Sequence, residues 1–472
     1  MKVVFGSSFQ ESMGGGVGQV AHEISHVFAK DGHQVLFILP DHFTRFRFVD
    51  KCLSLLQIKS FGERDYLVPQ LNPISMRFVL KNLERFSPEI IHLHDPGPIS
   101  FLLQSWAMEN HVPVILTSHI LPAKSIDFGA KEAVKALGVL WDTGLLKNFL
   151  SSFYQNCDGV IALNEIARKD LRNFGYSGKI FLIPNGRNLS LYNQNPLSDI
   201  SQKEKKLIFI GLINERKNQH FLLEVMRKLP NNYSLTLVGD YLSRKYLKKL
   251  EKYVQRYHLK NVKFIGKVPY EKISQYLAES HAFVSASTME VQSLAVIEAL
   301  AAGKPIVGFS NETIDEFIDD SVGCNLPIKT SPLNFAKKIE SICSQTKKDY
   351  EKMCWSARKK VSHLDWQNIV PQTLEAYKNL LEDNQESKST TMGDKKDFLE
   401  KLERFFDFEE KDSLKSDKKR FSTDFFLFLA VIFTSLGAGF YGIYHLPKTL
   451  PKTIKNSPKY LSKIVKKFME FS

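Results

Sequence analysis

Short apolar runs alternate with longer amphipathic stretches from the start of the chain. Residues 2–6 read as a buried strand, followed by a Gly-rich loop from Ser7 to Gly18 and a helix from about Gln19 to Lys30. Asp31-Gly32-His33 is a turn, and Gln34 to Leu39 is the next strand. This order opens a doubly wound parallel sheet. The pattern continues with a strand at 89–94, a helix from Ile99 to Asn110, and a strand from Val112 to Ser118 that ends at His119. A strand at 159–163, a helix from Asn164 to Phe174 and a segment at 179–183 lead into the turn Pro184-Asn185-Gly186. Residues 187–204 are polar and read as a linker. A second α/β series then runs through strands at 207–211, 234–239, 262–266 and 282–285, with helices at 219–228, 245–257 and 270–279. Two such units in tandem leave a cleft, where a ligand is expected.

The strand at 282–285 feeds a distinctive stretch, Ser287 to Pro305. It reads as a tight loop, a buried Ala/Leu/Ile helix, a C-cap at Gly303 and a Pro305 that opens the next strand. Glu290 lies in the loop and Glu298 inside the helix, roughly 12 Å apart if the segment is helical. The free N–H groups at the helix start suit an anion. A sugar at Glu290, a pyrophosphate at the helix start and ribose hydroxyls at Glu298 would satisfy all three features. The plainer reading is a core helix in which Glu298 caps or pairs with a neighbouring backbone, because a carboxylate in an apolar helix is costly without a partner.

A helix begins at Asp365-Trp366-Gln367 and runs to about Leu381. Residues 383–424 are a charged linker with one amphipathic stretch, Phe398 to Phe408. Residues 425–444 carry no charge and are long enough, as a helix, to cross a bilayer core of about 30 Å. A basic tail at 445–472 follows. The expected division is an N-terminal Rossmann-like acceptor domain at 1–186, the linker, a donor domain at 205–365, and a helix at 366–382 that crosses back. After it come the charged linker, a transmembrane or membrane-inserted helix, and the tail.

Composition changes this picture in one respect. The chain of 472 residues carries a net charge of +13, and residues 446–472 hold about half of the excess. That distribution favours an anionic membrane surface over nucleic acid. The five cysteines are scattered, without metal spacing, and read as reduced thiols. Met1-Lys2-Val3-Val4-Phe5 runs straight into Gly6 and is too short for a signal peptide.

Four further groups can carry chemistry. Gly15 and Gly16, within Gly14-Gly15-Gly16-Val17-Gly18, allow close backbone approach to a ligand or simply form a tight turn. Arg216 and Lys217 end the first strand of the second unit and suit a pyrophosphate, or are a solvated pair. His119 can bond a sugar hydroxyl or assist proton movement, or it bonds a loop carbonyl. His92 and His94 alternate on one strand face and read as supporting residues. Two basic-aromatic stretches, Phe43 to Phe48 and Lys131 to Phe149, can lie on a bilayer or pack ordinarily. No Asp-x-Asp occurs, which fits charge neutralisation by cations rather than a metal.

Together these residues resemble glycosyltransferase family 4, retaining enzymes of the GT-B fold. The carrying motifs are Gly14-Gly15-Gly16, Thr117-Ser118-His119, Ile183-Pro184-Asn185-Gly186, Gly211 through Arg216-Lys217, and Glu290 to Glu298 followed by Ala-Leu-Ala-Ala-Gly-Lys-Pro. The likeness covers about residues 1–382. It implies an α/β GT-B fold of two Rossmann-like domains facing a cleft, and that Glu290 contacts the transferred sugar and Glu298 the ribose. It also implies that Arg216 and Lys217 bind the pyrophosphate and that His119 lies near sugar and acceptor. Two departures stand out. Gly211-Leu212-Ile213 replaces the frequent Gly-Arg-Leu. Val291-Gln292-Ser293-Leu294 resembles the Thr-Gln-Gly-Leu of diacylglycerol glucosyltransferases, with Ser293 in place of Gly, and places Gln292, Ser293 and Leu294 among the donor-binding residues.

The expectation is a transferase moving a hexose from a UDP- or GDP-sugar to a membrane lipid such as diacylglycerol or a lipid-linked sugar. No cofactor or metal is expected. The catalytic domains would lie on the cytoplasmic side, anchored by the C-terminal segment. The alternatives are a soluble or polysaccharide acceptor, and a nucleotide-sugar-binding module without turnover.

Overall fold

The computed structural model describes residues 1–10, 15–61, 67–124, 145–194 and 196–388. The apolar stretch 425–444, the charged linker, the basic tail, the Phe398–Phe408 stretch, Gly14 and most of the Lys131–Phe149 stretch lie outside these residues. Among the described residues, no helix is long and apolar enough to cross a membrane.

The first sheet contains β1 (Lys2–Gly6), β2 (Gln34–Asp41), β3 (Arg45–Phe48), β4 (Leu53–Phe61), β5 (Val68–Pro69), β6 (Ile90–Leu93), β7 (Val114–Ser118), β8 (Gly159–Ala162) and β9 (Lys179–Leu182). Its order is β3-β4-β2-β1-β6-β7-β8-β9, with β5 paired to β4. All neighbours are parallel except β3 and β5, which run antiparallel to β4. The second sheet contains β10 (Lys205–Ile210), β11 (Tyr233–Val238), β12 (Val262–Gly266), β13 (Ala282–Ser285), β14 (Ile306–Phe309) and β15 (Gly323–Leu326). It is wholly parallel, in the order β12-β11-β10-β13-β14-β15.

The apolar strands are buried on both faces, as a parallel sheet flanked by helices requires. Val4, Leu36 and Ile38 point to one core, against the helices Pro73–Phe86, Pro98–Asn110, Leu145–Gln155 and Glu165–Phe174. Val3, Phe5, Val35 and Phe37 point to the other, beneath the helices Gly15–Lys30 and Trp366–Lys388. The chain's last described helix thus returns to the first sheet, burying Trp366, Ile369, Val370, Tyr377 and Leu380 there. In both sheets the winding reverses beside the first strand, between β1 and β6 and between β10 and β13. The ends of these strands are where an open α/β sheet leaves a crevice.

Three local expectations change. The first helix starts at Gly15, not Gln19, so Gly15 and Gly16 form its first turn. The polar segment after Gly186 is more than a solvated linker. It holds the short helix Ser190–Asn193 and buries Arg187, Tyr192 and Ile200, because its apolar and charged side chains find partners in both domains. Arg45–Phe48 is an edge strand, with Phe46 packed on the core and Phe43 and Phe48 left 65% and 77% exposed. Gly303 does follow the helix Leu294–Ala301 with φ 72°, the left-handed conformation that ends it.

Candidate active site

The site is built on two loops that leave neighbouring strands of the second sheet. After β10 the chain makes a one-turn hook, Glu215–Lys217, capped by Asn214 Oδ1, which accepts the Lys217 N–H at 2.9 Å. Asn218, at φ 52°, reverses the chain into the helix Gln219–Met226. The loop after β13 is fastened to this hook. Thr288 donates to the Arg216 carbonyl through its N–H at 3.1 Å and its hydroxyl at 3.3 Å, and Arg216 Nη1 reaches the Met289 carbonyl at 3.4 Å. The consequence is a salt bridge between Lys217 Nζ and the Glu290 carboxylate.

Glu290 is buried, and burial alone would raise its carboxyl pKa. The Lys217 ammonium, and then the Arg216 guanidinium, outweigh that cost and hold it below the usual range. Its own N–H donates to Glu312 Oε2 at 2.9 Å. Asn311 braces the same loop by capping the helix Glu312–Phe317 with Oδ1 and donating Nδ2 to the Ser287 carbonyl at 3.0 Å. The Ser293 N–H is already committed to Thr313 Oγ1 at 2.8 Å. An ionised acceptor and two cations therefore meet at a rigid point, an arrangement suited to hydroxyls on one side and a diphosphate on the other.

The loop 290–294 is also the seam between the two domains. Gln292 Oε1 accepts the Asn185 N–H at 2.7 Å, and its Nε2 donates to the Leu163 carbonyl at 3.2 Å and to Glu316 at 3.3 Å. Asn164 Nδ2 donates to the Val291 carbonyl at 2.8 Å and to Glu316 at 3.0 Å. Glu312 reaches Lys124 across the same seam at 2.7 Å. Leu294 packs into the core under the first sheet. A Cβ added to Gly16 would lie 3.1 Å from Leu294 Cδ1, so this glycine admits the partner domain's side chain. Gln292 and Leu294, expected at the donor, thus fasten the domains together in this arrangement, while Ser293, expected there too, is bonded to Thr313 within the second domain. Gly15 stands at the helix start with φ 59° and open space around it.

His119 ends β7 on the first-domain side. Its Nε2 meets His94 Nδ1 at 3.1 Å, and the two rings stack with centroids 5.4 Å apart. Burial pushes the His119 pKa down to about 3, and that of His92 likewise, with a further contribution from His119. These imidazoles are neutral at physiological pH.

Glu298 stands apart from the Lys217–Glu290 pair. It is buried against Arg187, whose Nε donates to Glu298 Oε1 at 2.9 Å and whose Nη1 reaches Glu23 at 2.5 Å. Gln19 accepts from Nη2 at 3.1 Å, and the guanidinium lies 4.7 Å from the Tyr270 ring centroid. Trp366 Nε1 closes the network on Glu23 at 2.9 Å. Burial raises the Glu298 pKa above its ordinary value, although Arg187 opposes the shift. Sequence reading found Glu298 but not Arg187, whose burial depends on Glu23, far away along the chain. Glu312, Glu316 and Asn185 were missed as site-bracing residues for the same reason.

The family model described as Glycosyltransferase Family 4 matches residues 14–191, and the model for glycosyl transferases group 1 matches 194–360. The two meet in the linking segment that holds the short helix Ser190–Asn193. The chain belongs to glycosyltransferase family 4. Its relatives include the alpha-monoglucosyldiacylglycerol synthase of Streptococcus pneumoniae, 27% identical over 259 residues, covering 52% of this chain and 56% of that protein. Another is a sulfoquinovosyl transferase of Arabidopsis thaliana, 25% identical over 272 residues, covering 55% of this chain and 51% of its own. The match thus spans about half the length of each of these relatives. Among solved structures, Anabaena HepE in complex with UDP and glucose superposes with a TM-score of 0.64 at 18% identity, over 80% of this chain and all of that one. The architecture of this family 4 glycosyltransferase is accordingly GT-B, two Rossmann-like domains closed upon a seam.

Proposed function

We propose that this glycosyltransferase moves a hexose, with retention, from a nucleotide diphosphate sugar to a membrane lipid such as diacylglycerol or a lipid-linked sugar. The observation that carries the reading is the Lys217–Glu290 pair beside Arg216, set where the second sheet reverses its winding. A diphosphate would draw the two cations to itself and release Glu290 to the hydroxyls of the transferred sugar. Stabilising the departing nucleotide in this way supplies much of the catalysis, without a metal. His119 would face the sugar and acceptor from the first domain, and Glu298 the ribose. A uridine donor is supported by the UDP of the Anabaena neighbour. A lipid acceptor is supported by the streptococcal glucosyldiacylglycerol synthase relative. The uncharged stretch 425–444 and the basic tail would hold the catalytic domains on the cytoplasmic face of a membrane.

The test is a panel of radiolabelled nucleotide-sugars mixed with the protein and a lipid extract. Label is expected in the organic phase with one donor. Label transferred but retained in water would overturn the lipid acceptor, and no release of nucleoside diphosphate under any condition would overturn transfer itself.

A further inference from the structure

The face of β6 beneath the last helix carries His92 and His94, and the two are satisfied differently. His92 is bonded at both nitrogens, Nδ1 to the Tyr377 hydroxyl at 2.6 Å and Nε2 to the Thr117 hydroxyl at 2.7 Å. His94 stacks on it with centroids 4.5 Å apart. Its Nδ1 meets His119, but its Nε2 is buried with no partner among the described residues. Asn185 Oδ1 is in the same condition, although the Asn185 N–H holds Gln292 across the seam. Both side chains are at least nine-tenths buried. His94 and Asn185 line one cavity of about 20 Å³, shared with Thr117, Ile161, Ile183 and Trp366. A cavity somewhat above about 10 Å³ holds one water when polar partners converge on it.

We propose that His94 is a positioning residue for His119, and that one buried water bridges His94 Nε2 and Asn185 Oδ1. A neutral imidazole has one donor and one acceptor. With the His94 proton on Nδ1, the water donates to both His94 Nε2 and Asn185 Oδ1, and His94 donates to His119 Nε2. With the proton on Nε2, His94 donates to the water, the water donates to Asn185, and His94 Nδ1 accepts from His119 Nε2–H. In either arrangement every atom of the line has a complementary partner, and the His119 proton is set by that of His94, on Nδ1 in the first and on Nε2 in the second. The line therefore holds the His119 ring in one orientation and locks the two tautomers together. It ends at Asn185, whose N–H holds Gln292 of the second domain, so the state of the ring is tied to domain closure. The positioning role rests on the reading of His119 as a site residue; the water line does not.

The experiment is long-range proton–nitrogen correlation on the histidine rings of the full, ¹⁵N-labelled chain in detergent. His94 and His119 are expected to be protonated at the same nitrogen, both at Nε2 or both at Nδ1, and Asn185→Leu is expected to move the His94 and His119 nitrogens while leaving those of His92 in place. Unmatched tautomers of His94 and His119, or His119 signals indifferent to Asn185→Leu, overturn the proposal. Kinetics separate positioning from mere stability. Asn185→Leu should lower kcat about tenfold with little change in donor KM, and Asn185→Asp, which keeps the acceptor, should restore most of it. Loss of activity in both to the same degree counts against positioning. Unchanged turnover in His119→Ala, with the ring assignments intact, would remove the functional reading of His119 while leaving the water line standing.

Discussion

Arg187 Nε donates to Glu298 Oε1 at 2.9 Å, joining the segment that follows the first domain to a helix inside the second. The guanidinium is fully buried and also holds Glu23 on the first helix of the chain. The pair therefore sits at the crossing between domains. It occupies one oxygen of the carboxylate that the family resemblance assigns to the donor ribose. Ribose recognition by Glu298 would use its other oxygen or require Arg187 to shift.

Removing one partner of a buried pair leaves the other charge without compensation. Arg187→Met should therefore destabilise the protein by about 3–5 kcal/mol, read from urea unfolding. Glu298→Gln keeps an acceptor for Arg187 Nε and should cost clearly less. Equal stability of Arg187→Met and the parent would show that the pair contributes nothing.

The Lys217–Glu290 pair is expected to matter for turnover instead. Lys217→Ala and Glu290→Gln should each lower kcat by about 10²–10³, the scale of losing one preorganised charge at a developing anion. Thermal unfolding should move little in Glu290→Gln, because Asn214 and Thr288 hold both loops through backbone groups, whereas Lys217→Ala leaves the buried Glu290 carboxylate without its cation and should lower the unfolding temperature. Turnover within a few-fold of the parent would exclude these residues from the reaction.

Residues that announce themselves by local chemistry were legible in the sequence. Arg216-Lys217 after a strand, Glu290 before an apolar helix and Gly303 after it are short-range patterns, and the fold places them as expected at strand ends and a helix stop. Arg187 was not legible, because its neighbours in the chain are polar and its partners, Glu23 and Glu298, are remote. Gln292 was found as a loop residue, but its partners Asn185 and Leu163 belong to the other domain, so its role in the seam required the fold. The edge strand β3 was missed because Arg45-Phe46-Arg47-Phe48 alternates charge and ring, as a surface-lying segment does.

The seam should respond to pH through Glu316. Burial pushes its carboxyl up to about 7, against the opposing donation of Asn164 and Gln292 amides. A raised carboxyl pKa means that the folded state binds more protons than the unfolded one between about 4.5 and 7. Stability from this group is then full below the unfolded value and falls as pH rises through the folded one. With allowance for its partial exposure, moving from pH 5 to pH 8 should cost on the order of 1–3 kcal/mol. Glu316→Gln should flatten that slope. A slope identical to the parent's in denaturant titrations would remove Glu316 as its source.

Closure should also depend on the absence of a side chain at Gly16. Its Cβ would meet Leu294 Cδ1 at 3.1 Å, a distance that a small shift relieves, whereas the branched side chain of valine needs more room. Gly16→Ala is expected to be mild and Gly16→Val to raise donor KM about tenfold or more. Adding Leu294→Ala should recover much of the loss. Failure of the double variant to recover would mean that Gly16 serves a ligand rather than Leu294.

Membrane attachment offers the last separation. The helix Trp366–Lys388 buries its apolar face under the first sheet, so a chain ending at Lys388 keeps every described element. Such a chain should fold, release nucleoside diphosphate with a short-chain soluble acceptor, and no longer float with liposomes. The uncharged stretch 425–444 and the lysines that follow it account for that difference, one by insertion and the other by attraction to anionic headgroups. Flotation that persists with anionic vesicles, and disappears when they are neutral, would instead locate an attachment surface on the catalytic domains. The exposed Phe43 and Phe48, flanking Arg45 and Arg47 on the sheet edge, would then be the first residues to replace.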